Sequence, residues 1–149
     1  MSRAALVVID ELNLAEEMTA PLDQWARHAR TQLGAEVSRE AVIHAGVAGW
    51  LEHPERQEHV TIWAINNALR SDTPLHPNVQ HWPAEMADRL DHLARKAGRE
   101  LYCEVSRSAV VRAALTGWLI DAARRPREVV AQAIRASVMT LAQLEATPR

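Results

Sequence analysis

Two short segments of the chain combine serine and arginine in an order that suits binding of a phosphate group. Glu36–Arg39 and Glu104–Arg107 share the sequence Glu-Val-Ser-Arg, and each precedes a stretch with the apolar spacing of a helix. Serine is a preferred N-cap, and the free amides and dipole of a helix start attract an anion. The alternative is that each serine is a plain N-cap, because every helix start has amides to satisfy.

Both segments belong to an internal sequence repeat. Residues 17–51 match residues 85–119 without a gap, and 18 of the 35 aligned positions are identical. Each copy is too small to bury a large core alone, so we expect the halves to share one core around an approximate two-fold axis. The predicted domains are a first strand-helix-helix-helix repeat over 1–70, a linker over 71–79 and a second repeat over 80–149.

The first helix differs between the two copies. In the second copy the apolar spacing predicts a helix over Glu85–Ala97, which ends at Gly98. In the first copy Pro21 falls inside the matching stretch, where its ring would clash with a carbonyl of the preceding turn. That helix is therefore expected either to kink or to start late, with Thr19 as its N-cap.

The later helices are predicted in both copies. The second helix covers Ser38–His53 and Ser106–Asp121, each with an apolar stripe that includes small residues suited to close helix packing. A third helix follows at Glu55–Arg70 and at Pro126–Glu145. Histidines such as His44 are expected on helix surfaces.

Residues 82–119 carry a pattern that resembles the ribbon-helix-helix family of bacterial DNA-binding proteins. An apolar strand end is followed by Pro-x-Glu, by Leu-Asp-x-Leu-Ala-Arg-Lys-x-Gly, and by Ser-Arg-Ser before a Val-Val-Arg-x-Ala-Leu stripe. Residues 14–51 match this pattern less well. The resemblance implies a mainly α fold of internally duplicated ribbon-helix-helix-like units, each followed by an extra helix, that form a single-chain pseudo-dimer.

In that family two strands pair into a ribbon whose outer face reads bases in the major groove, while helix N-termini contact phosphates. The strands here are predicted at Leu6–Leu14 and Asn78–Trp82. With Leu12, Leu14 and Trp82 facing inward, neighbouring polar residues face the groove. The resemblance then implies base contacts from Asn13, Gln80 and His81, and phosphate contacts from Ser38, Arg39, Ser106 and Arg107.

The charge pattern is mixed. Residues 1–74 carry 6 basic and 11 acidic side chains, whereas residues 75–149 carry 11 and 8, for a net charge of −2. This difference in charge between the halves indicates a nucleic-acid or acidic partner for the second half. The alternative is that solvent-exposed residues diverged in sequence without a function. Asp10 and Glu11 in the first strand would repel phosphate. An arginine cluster at 124, 125 and 127 either offers a further DNA contact or offsets a helix dipole.

The leading functional hypothesis is a sequence-specific DNA-binding regulator, either a repressor or a plasmid transfer or partition accessory protein, with double-stranded DNA as its partner. The alternative is a protein-interaction module, an antitoxin or inhibitor, that kept the scaffold without DNA binding. The sequence also leaves open a protein partner for the acidic first half and a homodimer through the third helices.

An enzyme is not expected, because no phosphate loop, nucleophile elbow or paired-carboxylate motif occurs. No cofactor or metal is expected either, since the seven histidines are scattered without ligand spacing. No apolar run is long enough to span a membrane, so a membrane partner is not expected. Cys103 is the only cysteine, which fits a cytoplasmic protein.

Overall fold

The computed structural model describes residues 7–52 and 59–146. Among these residues the chain forms six helices and one two-stranded antiparallel sheet, which confirms the mainly α class. In chain order the elements are β1 Val7–Ala15, α1 Glu16–Leu33, α2 Arg39–Leu51, α3 His59–Arg70, β2 Leu75–Pro83, α4 Ala84–Leu101, α5 Arg107–Ala123 and α6 Arg127–Ala146. No described helix has the length and apolar character that a membrane span requires.

The two strands pair over their whole length, although they lie far apart in the chain. Val7 is opposite Pro83, Glu11 is opposite Val79, and Ala15 is opposite Leu75. Each strand has nine residues. Glu11 and Val79 therefore form the central pair of a symmetric ribbon.

The second strand starts earlier than the sequence predicted. Residues 75–79, predicted as part of the linker, belong to β2, and the linker is only 71–74. This extension of the strand contains Pro77. Both strands of a two-stranded sheet are edge strands, and a proline is tolerated where its missing amide is not needed for pairing. The Glu16 amide donates to the Pro74 carbonyl at 2.9 Å and joins the end of the ribbon to α1.

The late start predicted for the first helix is wrong. Helix α1 begins at Glu16, directly after β1, and contains Pro21. Thr19 is not its N-cap, and its hydroxyl instead donates to the Glu16 carbonyl at 2.8 Å. Proline removes one backbone donor, whereas the burial of Met18 and Leu22 on either side holds the segment in the helix.

Helix α4 also extends beyond its predicted end. Gly98 lies inside it, and the helix is ended by Tyr102, whose φ of 56° is in the left-handed region. Gly34 ends α1 in the same conformation, with φ of 63°. Gly98 is needed for a different reason: a Cβ there would lie 2.9 Å from the Cys103 carbonyl oxygen, so the glycine permits the tight last turn.

The centre of the core is the crossing of α2 and α5, which are buried on most sides. Trp50 of α2 packs on Gly117 of α5, where an added Cβ would overlap the indole ring. In return Trp118 of α5 packs on Gly49 of α2, where an added Cβ would lie 3.2 Å from the indole. The small residues that the sequence predicted for close packing thus receive the tryptophan of the opposite helix.

The third helices cross over to the opposite half of the chain. Helix α3 packs on α4 and α5, and α6 packs on α1 and α2. Helix α6 lies within one residue of its predicted bounds. The predicted start of the other third helix lies in 53–58, outside the described residues. This exchange joins the two halves of the chain in one core, because each third helix packs its apolar side on helices of the opposite half.

The unequal fit of the two tryptophans gives a matched test. We expect Gly117→Ala to lower the free energy of unfolding by about 1–3 kcal/mol, as overpacking of a filled core does. Gly49→Ala should be close to neutral, since a gain in helix propensity of about 1 kcal/mol offsets its smaller steric cost. Urea denaturation followed by circular dichroism measures both. Equal effects of the two variants would contradict the packing described.

Candidate nucleic-acid interface

The ribbon presents one face to solvent and the other to the core. Alternate residues face outward: Ile9, Glu11 and Asn13 on β1, and Pro77, Val79 and His81 on β2. Leu12, Leu14 and Trp82 face inward as predicted and are fully buried. Half of these outward side chains are apolar, and two of them, Ile9 and Val79, are 50% and 62% exposed. Neither strand contains lysine or arginine.

Two of the three predicted base-contact residues are on the outward face. Asn13 is exposed, and its backbone amide donates to the Ser108 hydroxyl at 3.1 Å. His81 is half-buried, and its backbone amide donates to Glu40 Oε1 at 2.7 Å. The same Glu40 oxygen lies 2.8 Å from His81 Nδ1. Side chains from the starts of α2 and α5 therefore accept hydrogen bonds from outward-pointing backbone amides of the ribbon. These bonds protect the ribbon edges from pairing with another strand.

The prediction that Gln80 contacts bases is wrong. Its side chain is fully buried, and Nε2 donates to the Glu40 backbone carbonyl at 3.1 Å. Side chains alternate along a strand, so the inward position of Trp82 requires an inward position two residues earlier. Gln80 thus fixes the strand to the start of α2 and is not available to a ligand in the groove.

Both serines predicted to anchor phosphates are N-caps. The Ser38 hydroxyl accepts a hydrogen bond from the Ala41 amide at 3.2 Å, and the Ser106 hydroxyl accepts one from the Ala109 amide at 3.1 Å. Both serines are exposed. The helix starts are therefore accessible to an anion, and the phosphate contact itself stays a prediction.

The two arginines next to these caps form ion pairs with aspartates of the same chain. Arg39 makes a two-pronged contact with Asp23 of α1, at 2.8 and 2.7 Å, and its Nη1 donates to Asn78 of β2 at 3.0 Å. The Arg39 guanidinium, mainly through its hydrogen bonds, lowers the pKa of Asp23. A phosphate would have to compete with a carboxylate for this side chain.

Arg107 repeats the arrangement. It makes a two-pronged contact with Asp91 of α4, at 2.9 Å for each bond, and an ion pair with Asp10 of β1 at 3.0 Å. Hydrogen bonding to Asp91 raises the pKa of Arg107, and Asp10 adds to the effect. The sequence predicted a phosphate contact for both arginines. Their acidic partners lie on other elements, and the spacing of residues in the sequence does not indicate these contacts.

The remaining arginine cluster lies away from the strands in sequence. Arg124 caps the end of α5, Arg127 begins α6, and Arg125 lies between them, all exposed. Positive charge at the end of a helix offsets its dipole, and the position of Arg124 fits that explanation. The alternative, a further DNA contact from this cluster, stays a prediction.

His44 lies behind the ribbon rather than on a helix surface as predicted. It is 5% exposed, its ring stacks near Trp82, and its Nδ1 lies 2.8 Å from the Ser137 hydroxyl of α6. Burial lowers the pKa of His44, and the nearby Glu40 carboxylate opposes part of that shift. His44 lies one turn after Glu40 in α2, and this position places it beneath β2, the strand that carries His81 and Trp82.

Comparison with protein-family models, with curated proteins and with solved structures found no match to this chain.

The burial of His44 predicts a pH dependence of stability. Its folded pKa lies below the ordinary value of 6.5, so the unfolded chain binds the proton first as the pH falls. The free energy of unfolding should decrease below about pH 6.5, from the unfolded pKa towards the folded one. His44→Gln, whose amide can still bond Ser137, should show a smaller decrease in denaturant titrations between pH 8 and pH 5. An identical pH slope in both proteins would contradict this explanation.

Proposed function

We propose that the chain is a DNA-binding regulator built as an internally duplicated, ribbon-helix-helix-like pseudo-dimer. The observation that carries this proposal is the symmetric ribbon, flanked by two exposed, serine-capped helix starts. The bounds of β1 and α1, and the start of α2, recur 68 residues later as β2, α4 and α5. This is the offset of the sequence repeat.

The side-chain contacts support a two-fold relation between the halves. Arg39 and Arg107 are equivalent under that offset, as are their partners Asp23 and Asp91. The second partners, Asn78 and Asp10, are also equivalent, and each belongs to the strand of the opposite half. Each arginine thus joins its own first helix to the other strand, as a reciprocal contact across a two-fold axis requires.

The proposed complex places the outer ribbon face in the major groove and the helix starts of α2 and α5 on the phosphates. Asn13 and His81 are at equivalent positions, and both carry polar side chains that could bond base edges there. Glu11 could accept from a cytosine amino group, and Ile9 and Val79 suit thymine methyl groups. Because Arg39 and Arg107 are paired internally, phosphate binding depends on backbone amides, and we expect a weaker salt dependence than cation-rich proteins show.

A second candidate is a protein-interaction module on the same scaffold. The observation that favours it is the chemistry of the outer ribbon face, where Ile9, Leu75 and Val79 are each about half exposed or more and Glu11 is central. Apolar residues exposed together often mark a protein interface. Asp10, Glu11 and Glu40 around the ribbon would weaken attraction to DNA.

The helix starts allow a test that separates charge from capping. Asn and Asp are both good N-caps, so the double variants S38N/S106N and S38D/S106D should fold alike. The Asp pair adds negative charge at the proposed phosphate positions. In gel-shift titrations with a randomised duplex pool at low salt, we expect saturable binding that S38D/S106D weakens at least tenfold and S38N/S106N retains, consistent with the loss of favourable anion contacts.

A ribbon variant extends the test. Asn13→Ala should weaken binding to selected sequences, whereas His92→Ala, on the exposed side of α4, should not. Equal binding by the Asn and Asp pairs would contradict the phosphate contacts. Absence of DNA binding, together with a stoichiometric protein partner that Val79→Glu releases, would support the second candidate.

A further inference from the structure

A cavity of about 340 Å³ lies beside the ribbon, between α3, α5 and the junctions of both strands with their neighbours. This volume is at the lower end of the range for small-molecule sites. The walls are mixed: methyl and methylene groups from α1 and α3, one tryptophan, one arginine and several neutral polar groups. The residues that matter for its chemistry are Trp63, Asn67, Leu75, Arg112, Thr116 and Glu17.

Arg112 gives the cavity its charge. Its Nη1 donates to the Asn13 backbone carbonyl at 2.9 Å. Among the described residues no carboxylate forms an ion pair with it, in contrast to Arg39 and Arg107, which each hold an aspartate. Burial lowers the pKa of Arg112. A partly buried guanidinium with a carbonyl as its partner retains donors for an anion.

Trp63 supplies a flat apolar surface at the same cavity. Its side chain is 67% exposed, although it belongs to the helix that packs on α4 and α5. Leu75, which also lines the cavity, is 48% exposed. Such exposed apolar side chains next to an unneutralised cation fit a ligand that has both an aromatic ring and a negative group.

We propose that this cavity binds a small aromatic carboxylate, with Arg112 holding the carboxylate and Trp63 and Leu75 contacting the ring. A planar guanidinium binds a carboxylate through two parallel hydrogen bonds, which orients the ring relative to the arginine. Thr116 and Asn67 add neutral hydrogen-bonding groups to the wall. Glu17 is the acidic residue of the lining, and its exposed carboxylate disfavours the anion without excluding it.

The site meets the ribbon at Leu75 of β2, which lines the cavity, and at the hydrogen bond that Arg112 makes to β1. The carbonyl that Arg112 bonds belongs to Asn13, one of the outward residues of β1. A bound carboxylate competes with that carbonyl for the guanidinium and changes the environment of the strand at this point. Regulation of the ribbon by the ligand rests on the proposed function, whereas binding of the ligand does not.

The test uses 2-naphthoate as the probe and 2-naphthylmethanol as its uncharged counterpart, titrated into the full chain by calorimetry without DNA. We expect saturable binding of naphthoate at one site and at least tenfold weaker binding of the alcohol. Arg112→Gln should weaken naphthoate binding at least tenfold, and Trp63→Ala should weaken it severalfold. Glu17→Gln should strengthen it, because it removes the opposing charge. Binding to the original protein should also shift the backbone amide signals of Asn13 and Leu14 in NMR spectra.

Thermal melts of each variant show whether it folds. If Arg112→Gln does not fold, the exposed positions Glu17 and Trp63 still decide the question. Absence of saturable naphthoate binding, equal affinity for the alcohol, or affinity unchanged by Glu17→Gln and Trp63→Ala would overturn the proposal. DNA binding could still be intact in that case, so the two proposals fail separately.

Discussion

The structure depends on the pairing of two strands that lie at opposite ends of a long connection. A two-stranded ribbon has little stability in water by itself, and β1 and β2 are separated by three helices. The pairing is stabilised because the inner face of the ribbon closes the helical core, where Leu12, Leu14 and Trp82 are fully buried. The ribbon in turn fixes where α1 and α4 begin, since each follows its strand without a gap.

Two sets of contacts hold the halves in the register that the ribbon sets. At the centre each tryptophan of the α2–α5 crossing occupies the space above a glycine of the other helix. At the ribbon each arginine joins a first helix to the opposite strand. The apolar contacts provide most of the stabilisation, because Arg39 and Arg107 remain partly exposed and such ion pairs contribute little individually. The arginines instead fix the relative position of strands and helices.

Much of the fold follows from the sequence. The alternation of Leu12 and Leu14 predicted the inward face of β1, and the serine before each apolar stripe predicted the starts of α2 and α5. The small residues of the stripes predicted close packing, although not which helix would fill the space. Local signals failed where tertiary contacts outweighed them. Pro21 and Gly98 are unfavourable inside helices, yet burial of Met18 and Leu22 keeps Pro21 in α1, and the close approach of the Cys103 carbonyl requires a glycine at position 98.

The candidate site was harder to predict. Asn13 and His81 could be assigned to the outward face from alternation alone, and Gln80 could have been excluded by the same rule. The internal partners of Arg39 and Arg107 were not predictable, because Asp23, Asp91 and the strand residues come together only in the folded chain. The exposed fraction of Trp63 and the lack of a described acidic partner for Arg112 are also properties of the packing and not of the local sequence.

The proposed architecture requires that β1 and β2 pair within one chain, in the register centred on Glu11 and Val79. The most direct measurement is a backbone nuclear Overhauser effect between these two residues in isotope-labelled protein refolded with a tenfold excess of unlabelled chain. Pairing within the chain predicts a cross-strand signal whose intensity per labelled chain is unchanged by the dilution. A signal that falls with dilution, or one that joins Glu11 to a different residue of β2, would contradict the account.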